Sequence, residues 1–439
     1  MARINVNGLR GGIWGRWPNP SQDWIWLFAF LVLPFASYLS LGLLALLLLV
    51  ALSNRASRIV SVLWRTGFLL LTGGLILSAS FALEPGNAFL QIANFVPYFL
   101  LFAVLQTWDG LAKQAVSKLN ILAEALLLTS IPISLLGLFE YAIQFGAIAP
   151  HLQDLPAFDW AFNNSFGQRA HAMLSHPNIL SAYLVIMLGL GLGLTLQSIS
   201  GDGRARVTAP TGVFVGRIRW GVYLATALSL GGIFCSGSRN GLLIAVGMLL
   251  VAGLLFARRS RFLALVGLGG AIALVVGTVM LGAGGRAFNL ALMTQDPRLG
   301  VWQIALSLIQ HRPWLGWGLG GFSALYVPMS VPPYARIFHA HNLWLYLASE
   351  VGLPLMVGFN IVIGRIVARG VKAVWLGNRP KSQKSILLTY LLAFGGCMAF
   401  GLFDVTLFDA RINVLSWLLL AGIALLTQNS SGLGKSSER

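Results

Sequence analysis

The chain has 439 residues, of which 57% are hydrophobic and only 10% charged. A soluble globular domain carries about 25% charged residues, so a soluble enzyme, a disordered chain and a fibrous protein are excluded. What remains is a polytopic membrane protein, with a formal net charge of +17 to be explained. The two cysteines, Cys235 and Cys397, sit in or at the end of apolar runs and carry no disulfide or metal expectation.

Twelve apolar runs approach the roughly 20 residues that a bilayer-spanning helix needs. They fall at 24–37, 39–53, 62–81, 90–107, 121–144, 178–198, 218–235, 240–256, 262–283, 342–363, 385–404 and 412–427. The first two read equally as one long tilted span broken at Pro34. The first run follows a basic amino terminus and has no small-residue cleavage site, so it is expected to be retained. The predicted organisation is an all-α polytopic membrane protein in three parts. Nine spans occupy 1–283 with an outer loop at 145–177, a large outer loop with short helices occupies 284–341, and three spans and a cytoplasmic tail occupy 342–439.

With the amino terminus in the cytoplasm, 23 of the 30 Lys and Arg fall on inner segments. Every inner connection is then positively charged, as the positive-inside rule requires. The charge is largely a record of topology, and nucleic acid is excluded as a partner. Seven cations remain outside: Arg169, Arg239, Arg286, Arg298, Arg312, Arg336 and Arg411, with no lysine among them. All six histidines (His151, His171, His176, His311, His339 and His341) also fall outside. Guanidinium presents a planar fork suited to phosphate and tolerates desolvation better than ammonium. Simple avoidance of lysine near the outer interface is one reading. The sharper one is an outward-facing site for a phosphorylated ligand.

Within 284–341, Asp296-Pro297 opens a helix of about fifteen residues, with Asp as N-cap and Pro at the first helical position. Leu299, Trp302, Leu306 and Ile309 form its apolar stripe, and it stops before Pro313. Too short to span, it is expected to lie on the membrane surface or to cap a cavity. Arg298 stands in its first turn, where backbone N–H groups and guanidinium would meet a phosphate together. The glycine run from Trp314 to Gly321 reads either as a tight turn or as an anion cradle.

At the far end of this loop stands Phe338-His339-Ala340-His341-Asn342. Two histidines two apart share a face only in extended chain; on a helix they diverge by about 200°. One is therefore expected to work and the other to support it, since imidazole suits proton transfer near neutrality. A zinc pair and a structural histidine are the alternatives. No third and fourth ligand is evident nearby, so no metal or cofactor is expected. Glu350, placed on one continuous helix, would lie about 13 Å deeper than His341 as a helix contact or substrate-path residue. Arg239 tips the hairpin Cys235–Gly241, where it could simply snorkel. Arg169 lies in Gly167–His171, followed by His176-Pro177-Asn178, where proline at a helix start is itself sufficient reason for the motif.

These residues resemble the O-antigen ligase and polymerase superfamily. Arg239 with Leu243 fits its Arg-x-x-x-Leu motif, and His341, Asn342 and Gly352 fit His-Asn/Ser/Gln, nine residues, Gly. Where the motif then has Gly, Thr or Tyr, this chain has Leu355. The Arg298–Trp302 helix followed by Pro-Trp-Leu-Gly-Trp-Gly adds to the likeness. The resemblance implies a twelve-span, metal-independent, inverting glycosyltransferase of the Gram-negative inner membrane, its active site facing the periplasm. It would move O-antigen glycan from undecaprenyl diphosphate to lipid A-core oligosaccharide. His341 is then the candidate base, with His339 as the alternative. Arg239, Arg298, Arg169, Arg336, Asn342 and His176 are the candidate contacts to diphosphate or substrate. A polymerase of the same superfamily shares the donor chemistry and stays open. A non-enzymatic lipid or solute transporter is the third reading, opposed by the lack of an internal repeat and by polar chemistry gathered on one side.

Overall fold

The computed structural model describes residues 20–144, 149–162, 166–199, 212–257, 260–282, 296–332 and 336–428. All regular elements among them are helices. In chain order these are α1 (Pro20–Val32), α2 (Ser37–Thr66), α3 (Phe68–Ser80), α4 (Pro85–Gln91), α5 (Val96–Thr107), α6 (Asp109–Lys113) and α7 (Ala115–Ile143). Two short helices, α8 (Ala149–Leu152) and α9 (Asp159–Phe162), precede α10 (Pro177–Ile199), α11 (Gly212–Cys235), α12 (Arg239–Ala257) and α13 (Arg261–Leu281). Then come α14 (Arg298–His311), α15 (Gly321–Tyr326), α16 (Leu343–Val351), α17 (Leu353–Trp375), α18 (Lys381–Phe400) and α19 (Ala410–Thr427).

Nine of the described helices are long and apolar enough to cross a bilayer: α2, α4 running on into α5, α7, α10, α12, α13, α17, α18 and α19. Phe68–Ser80 and Trp220–Cys235 are shorter apolar helices, and α1 has 13 residues. Each of the twelve expected runs has a helical counterpart, but nine span by their own length.

Two expected boundaries differ. The basic link between the runs 39–53 and 62–81 stays helical, because Arg is a good helix former. α2 therefore continues for 30 residues, broken only where Arg55 takes φ −141°, ψ 24°. Arg55 donates to the Thr107 carbonyl at 3.1 Å and Arg58 pairs with Asp109 at 3.2 Å, which ties this break to the connection after α5. The expected span 342–363 is split at Gly352, which takes φ 83°, ψ 162°. A β-carbon there would run into the Trp314 carbonyl, so only glycine lets the two chain segments approach this closely.

α10 is the most enclosed span. Along it Gly189 and Gly193 bring its backbone against Ala393 and Thr389 of α18. In lipid there is no hydrophobic drive between helices, so such small-residue contacts and van der Waals packing hold the bundle. Phe68 of α3, Phe99 of α5 and Trp417 of α19 form an aromatic cluster, with ring centroids 4.8–5.4 Å apart.

Candidate functional site

The site is built at the ends of α10, α14, α16, α18 and α19. α14 begins as the sequence predicts: Asp296 accepts from the Arg298 N–H at 3.0 Å. It spans 14 residues. Its buried face is Val301, Ala305, Leu308 and Ile309, while Leu299 and Leu306 are exposed. The expected stripe is thus rotated about the axis. Both sets have helical spacing, and packing against α16 decides between them.

The glycine run is a turn. Gly316, Gly318 and Gly320 all take positive φ, from 66° to 88°. The group in its cradle is the protein's own carboxyl: Glu350 accepts from the Gly320 N–H at 2.9 Å and from the Phe322 N–H at 3.2 Å. Glu350 lies in α16, ahead of the span-length helix that begins at Leu353. Burial pushes its carboxyl up to about 8, against the hydrogen bonds from Tyr346, Gly320 and Phe322 that favour the charged form.

Asn342 is the N-cap of α16, accepting from Trp344 N and Leu345 N at 3.0 Å each. Its Nδ2 donates to the Leu402 carbonyl at 3.0 Å. This fixes the residue before it. His341 takes φ 49°, a left-handed conformation that costs a non-glycine residue about 1–3 kcal/mol and is concentrated at functional sites. His339 and His341 precede the helix and are brought together, rings 4.8 Å apart at 85°. Both address Asp404: His341 Nδ1 lies 3.2 Å and His339 Nδ1 4.0 Å from its Oδ1.

Asp404 is buried and well held. It accepts from Val405 N at 2.9 Å and from Asn178 Nδ2 at 2.7 Å. Asn178 in turn accepts from Arg169 at 2.7 Å, and Arg169 Nε donates to the Ser236 carbonyl at 2.9 Å. Burial works against the Asp404 charge, but the His341 hydrogen bond and the nearby charges of His341, His339 and Arg298 outweigh it. They hold its carboxyl well below the usual range. For His339 burial dominates and lowers the pKa to about 4; Asp404 opposes this, and His341 and Arg298 add to it. His339 is therefore neutral near pH 7.

The structure thus gathers Arg169, Arg298, His339 and His341 around one carboxylate. Asn342 adjoins them with its side chain spent on the helix cap. His176 lies at the start of α10, where its Nδ1 accepts from Asn178 N at 2.9 Å and its ring meets Phe166 edge-on at 4.7 Å. Arg239 is exposed at the first position of α12, and Arg336 is exposed. Arg286 lies outside the described residues. Arg312 sits over the Trp317 ring at 4.2 Å. Arg411 pairs with Asp409, Nε to Oδ1 at 2.8 Å. Asp404 and Asn178 are the residues sequence reasoning left without a role. The one available signal was an acid set between two apolar runs in a chain with 13 acidic residues.

Asp404 also supplies a third donor beside the two histidines, their ligand atoms all within 4.8 Å of one another. This removes one ground for expecting no metal. Three donors are one short of a closed structural zinc site but equal in number to a catalytic one; the Arg298 charge that reaches Asp404 and His339 disfavours a divalent cation and favours an anion. Next to the histidines an apolar cleft of about 80 Å³ opens between the helices, lined by Phe95, Leu343, Tyr346, Phe359, Phe408 and Trp417. Phe408 stacks on the His339 ring at 6.1 Å.

No curated protein matches the chain. Residues 224–359 match the family model described as O-antigen ligase. The matched stretch includes Arg239, Arg298, His339, His341 and Asn342, whereas Arg169, Asn178 and Asp404 lie outside it. The histidine and arginine motifs lie inside the matched stretch, so this part of the helical membrane bundle is similar to the O-antigen ligase family.

Proposed function

We propose that the protein is an inner-membrane glycosyltransferase that moves O-antigen glycan from undecaprenyl diphosphate to lipid A-core oligosaccharide at its periplasmic face. The observation that carries this reading is the pairing of His341 with Asp404 beside the Arg298 charge. A carboxylate on Nδ1 fixes the imidazole's tautomer and orientation and leaves Nε2 as the base, the role of the aspartate in hydrolase triads. An acceptor hydroxyl attacks the anomeric carbon and His341 takes its proton. The bond from that carbon to the diphosphate oxygen breaks, and its electron pair leaves with the diphosphate. Attack opposite the leaving group inverts the centre. Arg298, with Arg239 from the family motif, stabilises the charge that develops on the leaving group. His339, neutral near pH 7, is the second histidine of the site and supports the first.

The apolar cleft supports a lipid-linked donor: the first part of an isoprenyl tail can rest there while its headgroup meets Arg298 and His341. A donor of this kind is already activated, so the site needs no energy-supplying cofactor. Metal independence follows the same reading. The experiment is chromosomal deletion with lipopolysaccharide profiling. Loss of all capped core while lipid-linked polymer persists is the expected result. Single-repeat caps would assign polymerase activity, and an unchanged profile would remove both.

A further inference from the structure

Two buried donors on one helix face are unused by the contacts described so far. On α14, Arg298 Nε and Trp302 Nε1 are both buried with no hydrogen-bond partner among the described residues. They are four residues apart, so their side chains lie one turn apart on the same face. A buried donor left unmade is costly. The indoles packed nearby avoid that cost: Trp317 Nε1 donates to the Leu308 carbonyl at 2.9 Å, and Trp344 Nε1 to Asn360 Oδ1 at 2.8 Å. Trp302 is therefore an exception in a neighbourhood where indoles find acceptors.

The chemistry of the missing acceptor follows from the pair. Indole N–H is a donor only, and guanidinium is donor-only and charged. The partner must accept at both and carry negative charge. The donor proposed above offers two linked phosphoryl groups, one for each. We propose that Trp302 is a diphosphate-binding residue, its indole N–H donating to one phosphoryl group of the donor while Arg298 holds the other. This rests on the function proposed above and adds a residue to it. Trp302 does not titrate, so its contribution is independent of pH, and it discriminates between lipids with two phosphoryl groups and lipids with one.

The test uses the purified full-length protein and measures binding of undecaprenyl diphosphate and undecaprenyl monophosphate, with transfer kinetics, for wild type, Trp302→Phe, Trp302→His and Arg298→Ala. Phenylalanine keeps the ring and removes the donor. It is expected to weaken diphosphate binding and raise donor KM about tenfold, the loss of one hydrogen bond to a charged group. kcat and monophosphate binding should change by less than twofold, a split that a folding defect does not give. Trp302→His keeps a ring N–H and should bind the diphosphate more tightly than Trp302→Phe. Diphosphate affinity within twofold of wild type for Trp302→Phe, with Arg298→Ala weakened, would overturn the Trp302 inference alone. So would equal losses for both lipids, or the reverse order of the two Trp302 variants. Unchanged binding in Arg298→Ala would overturn the diphosphate reading itself, and Trp302 with it.

Discussion

His341 Nδ1 lies 3.2 Å from Asp404 Oδ1, across 63 residues of chain. That contact joins the loop before α16 to the loop before α19 and aims the rest of the imidazole away from the carboxylate. The proposed base, so oriented, depends on its partner. Asp404→Asn keeps the size of the side chain but offers an amide in place of the charge that steadies an imidazolium. Glycan transfer is expected to fall about a hundredfold or more, with folded protein retained and the pH profile of kcat/KM displaced to higher or lower pH. A rate and profile like wild type would reduce Asp404 to a packing residue.

His341→Ala should abolish transfer, whereas His339→Ala should leave measurable activity, because His339 is held neutral by burial with its pKa at about 4. The opposite pattern exchanges their roles. Chelators are expected to leave the rate alone. Inhibition that zinc reverses would assign His339, His341 and Asp404 as a metal site.

The arginines test fork geometry against bare charge. Lysine keeps the charge but loses the paired donors, so Arg239→Lys and Arg298→Lys should each slow transfer roughly ten- to hundredfold. Arg286→Lys serves as control. If Arg239 only snorkels, its lysine variant is close to silent. Near-wild-type rates for both variants would take these residues out of the site.

Glu350 gives stability a sign in pH. Its pKa is raised by burial from 4.5 to about 8, so the folded chain binds this proton more tightly than the unfolded chain does. Its contribution is full below about 4.5, is lost as pH rises through about 8, and then levels off. Thermal unfolding in detergent between pH 5 and 9 should show this decline in the wild type and a flatter profile in Glu350→Gln. An identical slope in the variant would assign the dependence to other groups.

Orientation is tested by labelling. A cysteine at Ser323, in α15, should react with an impermeant reagent added from outside, and one at Ser382, at the start of α18, should not. The reverse result inverts the proposed topology.

How far the sequence carried can be seen residue by residue. The apolar runs give the helices because length and hydropathy act locally, and Asp296-Pro297 gives the start of α14 for the same reason. The buried face of α14 was beyond reach, since Leu299-Trp302-Leu306 and Val301-Ala305-Leu308 satisfy helical spacing equally and only α16 chooses between them. The break at Gly352 was not legible because glycine can sit within a helix, and what breaks the helix there is the approach of Trp314. Asp404 stayed silent because nothing within its own stretch defines its role. The contacts that do are to Asn178 and His341, both distant in sequence.

α16 has a consequence of its own. Asn342 at one end holds His341 in place, and Glu350 near the other holds the turn that follows Arg298's helix. The nine residues between Asn342 and Gly352 therefore act as a ruler about 13 Å long. It sets both the distance and the angular phase between the proposed base and the segment that carries Arg298. One residue added to it would advance the far end by about 1.5 Å and swing it by about 100°, so the carboxylate would no longer face Gly320 while the histidine stayed where it was. The fixed interval in the histidine motif is then a mechanical tolerance, enforced by a helix that contributes no chemistry itself.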